Sequence, residues 1–317
     1  MFTLPSKSRK KEYELIIVGG GPAGLSAAIY AARAGLDVLV LEKGVFGGQI
    51  SNTNNVENYP GIESIKGSEL AERFAEHAKK AGAELRNFVE VKNAKKEGGW
   101  VVLETSAGEL KAKAVIIATG EKEKMLNVPG EKELKGKGIS YCATCDGPFF
   151  KDKEVMVVGG GNSAIEEANY LTNFAKKVYV VYRKNKDNLK AEKVLIDRAL
   201  ANKKIEFIFN TETREIRGKE KVESVILLDK EKNKSYEKKI DGVFIYIGME
   251  PNSEPFKKIV KTDEHGYIIT DDSLMAGEGI FAAGDVRKNR IKQVVWAAGE
   301  GALAAVSAYR YVRGASQ

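Results

Sequence analysis

Twice in this chain a short apolar run opens into a glycine-rich turn and then a helical pattern. No other feature limits the possible folds as strongly. Glu14–Val18 (ELIIV) leads into Gly19-Gly20-Gly21-Pro22-Ala23-Gly24 and a helical stretch to Ala34; after Gly35 a second buried-strand run, Val38–Leu41, ends in Glu42. Strand, turn, helix, strand and acid stand in the order a dinucleotide site requires. Gly19 permits the tight turn, Gly21 lets the backbone approach a pyrophosphate, and Gly24 lets helix and strand pack closely. The pyrophosphate sits at the positive helix N-terminus, and Glu42 accepts from a ribose. The pattern returns at Glu154–Val158 (EVMVV), Gly159-Gly160-Gly161-Asn162-Ser163-Ala164, a helix expected to about residue 174, and Val178–Val181 (VYVV). Here the position matching Glu42 holds Tyr182, followed by Arg183 and Lys184. An acid at this position selects the 2′-hydroxyl of NAD and cations receive the 2′-phosphate of NADP, so the second site leans towards NADPH.

Two nucleotide folds in one chain imply two nucleotides with chemistry between them. Ala114–Gly120 (AVIIATG) and Gly279–Asp285 (GIFAAGD) read as strands returning to a single sheet, and Asp285 is suited to a sugar-like chain. Between Val157 and Ile247 the runs VMVV, VYVV, IEFIF and GVFIYIG alternate with helix or hairpin material and form a contiguous domain. The expected architecture is α/β, with two Rossmann-like dinucleotide-binding domains of the three-layer ββα type, the second inserted into the first. The first comprises residues 1–120 and 249–317, and the second residues 121–248. The joints fall at Gly120–Glu123 and Gly248–Pro251, both turn-like in composition.

The chain's two cysteines, Cys142 and Cys145, stand together in SYCATCDGPFF with Asp146 next. Two cysteines cannot build a disulfide framework, which points to a reducing cytoplasm. They could be half of a zinc site, but zinc needs four ligands, and the two histidines, His77 and His265, are isolated. Inert core cysteines, and an Asp146 that only caps a turn, are the plain alternatives. The net charge of +7 comes from scattered lysines, with no basic block beyond Lys7–Lys11 and no aromatic–basic interleaving, so a nucleic-acid reader is not expected. Leu15–Ala32 carries no charge, yet glycines and a proline interrupt it. It reads as strand, turn and helix, not as a membrane span or targeting segment.

Taken together, the residues resemble the low-molecular-weight thioredoxin reductases, flavoproteins of the two-dinucleotide-binding superfamily. The resemblance covers Tyr13 to Val312 and is carried by GGGPAG, GGQ (Gly47–Gln49), VENYPG (Val56–Gly61), ATG, CATCDG, GGGNSAIEEA, GIFAAGDV and QVVWAAG (Gln293–Gly299). It implies FAD in the split domain, lined by Gly19, Gly21, Ala23, Glu42, Gly48, Gln49, Asn58, Ala118, Asp285 and Gln293. It implies a nicotinamide nucleotide in the inserted domain, lined by Gly159, Gly161, Asn162 and Ser163, with Arg183 and Lys184 near its 2′ position. A homodimer is expected, with no nucleic acid and no membrane as partner. The implied reaction passes electrons from NAD(P)H through FAD and a Cys142–Cys145 disulfide to thioredoxin or a glutaredoxin-like protein. Cys145 would lie nearer the flavin, Cys142 would attack the partner, and Asp146 would exchange the proton of the leaving thiolate. The inserted domain is expected to rotate about its joints, so that the disulfide meets flavin and partner in turn. Trp296 is expected to pack at the flavin.

The chain departs from the family at the second nucleotide site. Members that use NADPH carry His-Arg-Arg and a further Arg downstream, where this chain has Tyr182, Arg183, Lys184 and, after a longer loop, Lys190. Lysine makes a point contact where arginine makes a bidentate one. Preference for the 2′-phosphate is therefore expected to weaken, which leaves NADPH, NADH or both as the donor. Two alternatives are the reductase component of an alkyl hydroperoxide system and a redox-regulated protein that binds FAD without turnover. The first carries an extra N-terminal disulfide-transfer domain, for which a first strand near Tyr13 leaves no room.

Overall fold

The computed structural model describes residues 10–53, 55–289 and 291–314; residues 7–9 of the basic Lys7–Lys11 stretch lie outside them. The chain divides into two compact units. One runs to Lys122 and resumes at Glu250, and the other spans Glu123–Met249. The strands at the two crossings, Glu121–Glu123 and Met249–Pro251, pair with each other as a two-stranded sheet.

In the split unit the strand Glu12–Val18 lies between Val38–Leu41 and Gly108–Ile117, parallel to both, with Ile17 opposite Val40 and Ile116. Leu15, Ile16 and Ile17 are fully buried, which is why the segment reads as an unbroken apolar run and does not alternate. One face of the sheet packs on the helices Pro22–Arg33 and Val294–Arg313. The other face packs on the antiparallel strands Val91–Glu97 and Trp100–Thr105. Ile280–Ala282 joins Gly108–Ile117 in parallel, so the sheet is completed by chain that follows the insertion. The two helices touch through small side chains. Ser26 Oγ donates to Ala298 O at 2.7 Å, and a Cβ on Gly301 would stand 2.0 Å from Ala23 O.

The inserted unit repeats the plan. Its parallel sheet runs Ile205–Ile208, Lys177–Val181, Glu154–Gly159, Gly242–Tyr246 and Ile139–Ser140. The helices Asn162–Leu171 and Lys193–Ala201 cover one face, and the antiparallel strands Thr211–Arg217, Ser224–Asp229 and Lys234–Lys239 accompany the other. Each unit is thus a three-layer ββα dinucleotide fold. The helix expected to reach residue 174 stops at Leu171. Thr172 Oγ1 there turns back to Asn169 O, and the amides of Asn173 and Phe174 bond the carbonyls three residues before them. The last turn tightens from α to i→i+3 bonding.

Candidate functional site: two glycine turns and a disulfide

The first glycine turn is shaped by backbone approach. Gly19 adopts φ +110°, and a Cβ there would come within 2.2 Å of Ala118 O. A Cβ on Gly24 would lie 1.9 Å from Gly19 O, so helix and strand meet backbone to backbone. Gly21 differs, because the nearest atom to a Cβ placed on it is Gly48 Cα, at 3.9 Å. Gly21 caps the following helix without a side-chain hydrogen bond. The first helical amides therefore stay available to an anion. Glu42 is held in place by the turn, its carboxylate accepting from Gly20 N at 2.7 Å and Gly44 N at 2.8 Å.

Other expected residues of this unit gather in linked pairs. Asn58 Nδ2 donates to Gln293 Oε1 at 2.8 Å, and Gln49 Nε2 donates to Glu121 O at 3.0 Å. Asp285 is the odd one out, since its Oδ1 is buried without a hydrogen-bond partner. Burial pushes its carboxyl up to about 6, with Glu121 and Glu300 adding to the rise and Lys292 opposing it. A buried carboxyl oxygen without a donor is costly, and the hydroxyls of a sugar-like chain are donors of the right kind. The residues present fit a flavin nucleotide at the open side of Gly21, with its polyol at Asp285.

Two residues that sequence reasoning missed, Glu300 and Arg287, hold the turn at Gly284, next to Asp285. Glu300, buried in the helix Val294–Arg313, accepts from Gly284 N at 2.8 Å and Trp296 Nε1 at 2.6 Å, and pairs with the Arg287 guanidinium. The signal was a lone acid among small residues (AAGEGALAA). Trp296 keeps its ring 44% exposed; its indole N–H, directed at Glu300, is its anchor. Glu300→Ala should strand the Arg287 charge and cost about 3 kcal/mol. A thermal melt followed by release of flavin fluorescence should show the transition several degrees lower; an unchanged midpoint would mean the network does not hold the turn.

The second turn follows the first. Gly159 (φ +151°) could carry a Cβ only 2.2 Å from Tyr246 O, whereas a Cβ on Gly161 would meet nothing within 4 Å. Asn162 fastens the neighbouring loop, its Oδ1 accepting from Glu192 N at 2.7 Å. Ser163, Arg183 and Lys184 are exposed. Tyr182 lies under the turn: its hydroxyl donates to Asn188 O at 2.7 Å, and its ring fills the space where a Cβ of Gly160 would fall. Lys190 N donates to Gly160 O at 2.8 Å, which draws that lysine's backbone to the turn.

Cys142 and Cys145 form a disulfide with Cα atoms 5.3 Å apart. Cys142 caps the short helix Ala143–Asp146. Its Sγ accepts from Cys145 N at 3.2 Å and lies 3.3 Å from Thr144 Oγ1. Its own amide donates to Ser140 Oγ at 3.0 Å. The Ala143 amide donates to the Tyr246 hydroxyl at 2.7 Å. The carboxylate of Asp146 makes no capping bond to the turn that follows. Upstream, the fully buried Glu131 accepts from Leu126 N, Asn127 N and the Tyr141 hydroxyl, which fixes the approach to Cys142. Among the described residues, no helix is long and apolar enough to cross a membrane.

A family model described as pyridine nucleotide-disulphide oxidoreductase matches residues 13–301. The chain belongs to that family, whose cofactors are a flavin and a nicotinamide nucleotide. The thioredoxin reductase of Bacillus subtilis (strain 168) is 50% identical over 307 residues, 96% of this chain and 96% of that one. The solved thioredoxin reductase of Lactococcus lactis superposes with a TM-score of 0.84 at 42% identity, covering 95% of this chain and 99% of that one. That of T. acidophilum gives 0.81 at 41%, covering 95% and 98%. Within the family, the chain's place is among the low-molecular-weight thioredoxin reductases.

Proposed function

We propose that the protein is a thioredoxin-disulfide reductase that passes electrons from NAD(P)H through FAD and the Cys142–Cys145 disulfide to thioredoxin or a glutaredoxin-like protein. The observation that carries this reading is the disulfide itself. It is made from the chain's two cysteines, is followed at once by Asp146, and is set in the unit that bears the second glycine turn.

FAD, when bound, supplies the two-electron chemistry that links a hydride donor to a disulfide. The split unit holds it: Gly19, Gly21 and Ala23 seat the pyrophosphate, Glu42 a ribose and Asp285 the polyol. Gly48, Gln49, Asn58, Ala118 and Gln293 complete the wall. In the inserted unit, Gly159, Gly161, Asn162 and Ser163 seat the nicotinamide nucleotide, with Arg183 and Lys184 at its 2′ position. Once the pair is reduced, the donors aimed at Cys142 Sγ, namely Cys145 N and the Thr144 hydroxyl, favour a thiolate on that sulfur. Cys142 then attacks the partner disulfide; a sulfur–sulfur bond forms to one partner sulfur and the other leaves as a thiolate. Cys145 attacks Cys142, restores the original disulfide and releases the second partner thiolate. Asp146 holds the proton that the Cys145 thiol gives up on attack and delivers it to a leaving thiolate. Phe149, next to the turn and 73% exposed, offers an apolar contact for the partner.

A cytoplasmic location accords with a chain whose cysteines serve one exchangeable pair. A homodimer accords with the large apolar side chains exposed on the helix Val294–Arg313, including Val295, Leu303 and Val306. The inserted unit turns about its joints, where a Cβ on Gly120 (φ +63°) or on Gly248 (φ +112°) would meet nothing within 4 Å.

The test is anaerobic: NADH and NADPH are mixed separately with the flavin-bound protein, and thioredoxin is then added. Bleaching by either nucleotide followed by return of colour establishes the reductase; bleaching with no return in thioredoxin refutes it. Arg183→Ala with Lys184→Ala should raise KM for NADPH about tenfold, from loss of a charged contact, and leave that for NADH unchanged. A wild-type kcat/KM that favours NADPH by several orders of magnitude would refute the use of both nucleotides.

A further inference from the structure

The helix packed against the redox turn carries a carboxylate that the proposed reaction does not use. The helix Asn162–Leu171 packs against both the redox turn Ala143–Asp146 and the strand Gly242–Tyr246. On that helix, Glu167 Oε2 is buried with no hydrogen-bond partner. Tyr246 packs against the core shared by that helix and the turn, and its hydroxyl accepts from Ala143 N, inside the Cys-x-x-Cys turn, at 2.7 Å. A phenol oxygen that accepts still has its own proton to place. The charged groups that act on this hydroxyl are all acidic: Glu167 first, then Asp146 from the redox turn and Glu123 from the adjoining strand. Glu166, the neighbour of Glu167 on its own helix, is acidic too. No cation among these groups offsets a new negative charge.

We propose that Glu167 is the group that takes up a proton when the Cys142–Cys145 disulfide opens, acting through Tyr246 as a positioning residue for the redox pair. Opening the sulfur–sulfur bond takes two electrons, which a dithiol reductant can supply. One sulfur receives the proton that accompanies the electrons, and the other becomes a thiolate. That thiolate adds a negative charge next to an acidic cluster, and a proton from solvent lands on the Glu167 carboxylate.

A pH dependence of definite sign results. Burial, with Glu166 adding to it, already pushes Glu167 up to about 6 while the disulfide is closed. A thiolate nearby raises it further, since like charges disfavour the ionised form. Between about pH 6 and the higher value of the reduced state, reduction therefore takes up one proton more than the sulfurs alone require. In that window the equilibrium constant for reduction should fall an additional tenfold per pH unit, which is about 30 mV for a two-electron couple.

The experiment equilibrates the flavin-bound protein with oxidised and reduced dithiothreitol from pH 5.5 to 8.5, then traps free thiols with a maleimide. With only two cysteines in the chain, the mass shift reports the pair directly. Glu167→Gln should lose the additional tenfold per pH unit and keep its flavin; a slope equal to wild type above pH 6 would overturn the proposal. Should Glu167→Gln fail to fold, infrared difference spectra of the wild-type protein decide the matter. Reduction should produce a protonated-carboxyl band that moves on carbon-13 labelling of glutamate, and absence of that band overturns the proposal. The inference rests on Cys142–Cys145 being exchangeable. A pair that no redox buffer opens would defeat both readings, whereas an unchanged slope defeats this one alone.

Discussion

Cys145→Ser should lose NAD(P)H-driven reduction of thioredoxin by on the order of 10³-fold or more, with flavin content intact. The remaining Cys142 still has the Thr144 hydroxyl and the residue-145 amide directed at its sulfur. It should therefore attack thioredoxin and stop there, because no second thiol remains to resolve the mixed disulfide. A covalent complex of the two proteins, reversible by dithiothreitol, is the expected product on a non-reducing gel. Cys142→Ser should lose as much activity without forming that complex. If the two variants behaved the other way round, the roles assigned to the two sulfurs would have to be exchanged. If either retained more than a few per cent of activity, the disulfide would not be the route.

The second large effect separates two glycines of one turn. Gly24→Val would drive a Cβ to 1.9 Å from Gly19 O, a backbone atom with nowhere to go. Overpacking of this kind costs about 1–3 kcal/mol, and the strand, turn and helix proposed to seat the flavin should move together. Urea denaturation of the flavin-stripped protein should show the loss directly. Gly21→Ala is the contrast, since its Cβ would find only Gly48 Cα at 3.9 Å. That variant should melt like wild type without flavin yet bind flavin weakly, because the methyl group fills the place of the pyrophosphate. Equal melting losses in both variants would mean that Gly21 is structural as well.

These glycines also mark what could be read from the chain before its structure. Strands buried on both faces of a parallel sheet carry no polar alternation, so ELIIV, VLVL, EVMVV and VYVV announced themselves. The outer antiparallel strands did not. Val91–Glu97 (VKNAKKE) and Lys234–Lys239 (KSYEKK) are mostly charged and exposed, and owe their extended form to the partners beside them, Trp100–Thr105 and Ser224–Asp229. The glycine turns and the cysteine pair were legible because their chemistry fixes residue type at fixed spacing. Glu131, Glu167 and Glu300 were not, since a glutamate in a helical or loop pattern looks like any solvated side chain. Only packing shows that Glu300 faces Gly284, or that the buried Oε2 of Glu167 has no donor. Tyr182 needed the structure as well: its hydroxyl bonds Asn188 O and its ring lies against Gly160.

The split of the first unit also sets an order of events during synthesis. All strands of the inserted sheet have been made once Tyr246 has left the ribosome, so that unit can close on contacts within 123–249. The first unit cannot. Its sheet waits for Ile280–Ala282, and the helix Pro22–Arg33, although among the earliest segments made, lacks its main helical partner until Val294–Arg313 is made. Contacts across such a separation form slowly, and until they do the apolar face of that helix stands open to chaperones and to other nascent chains. The disulfide-bearing unit is thus the early product of translation, and the split unit is the late one.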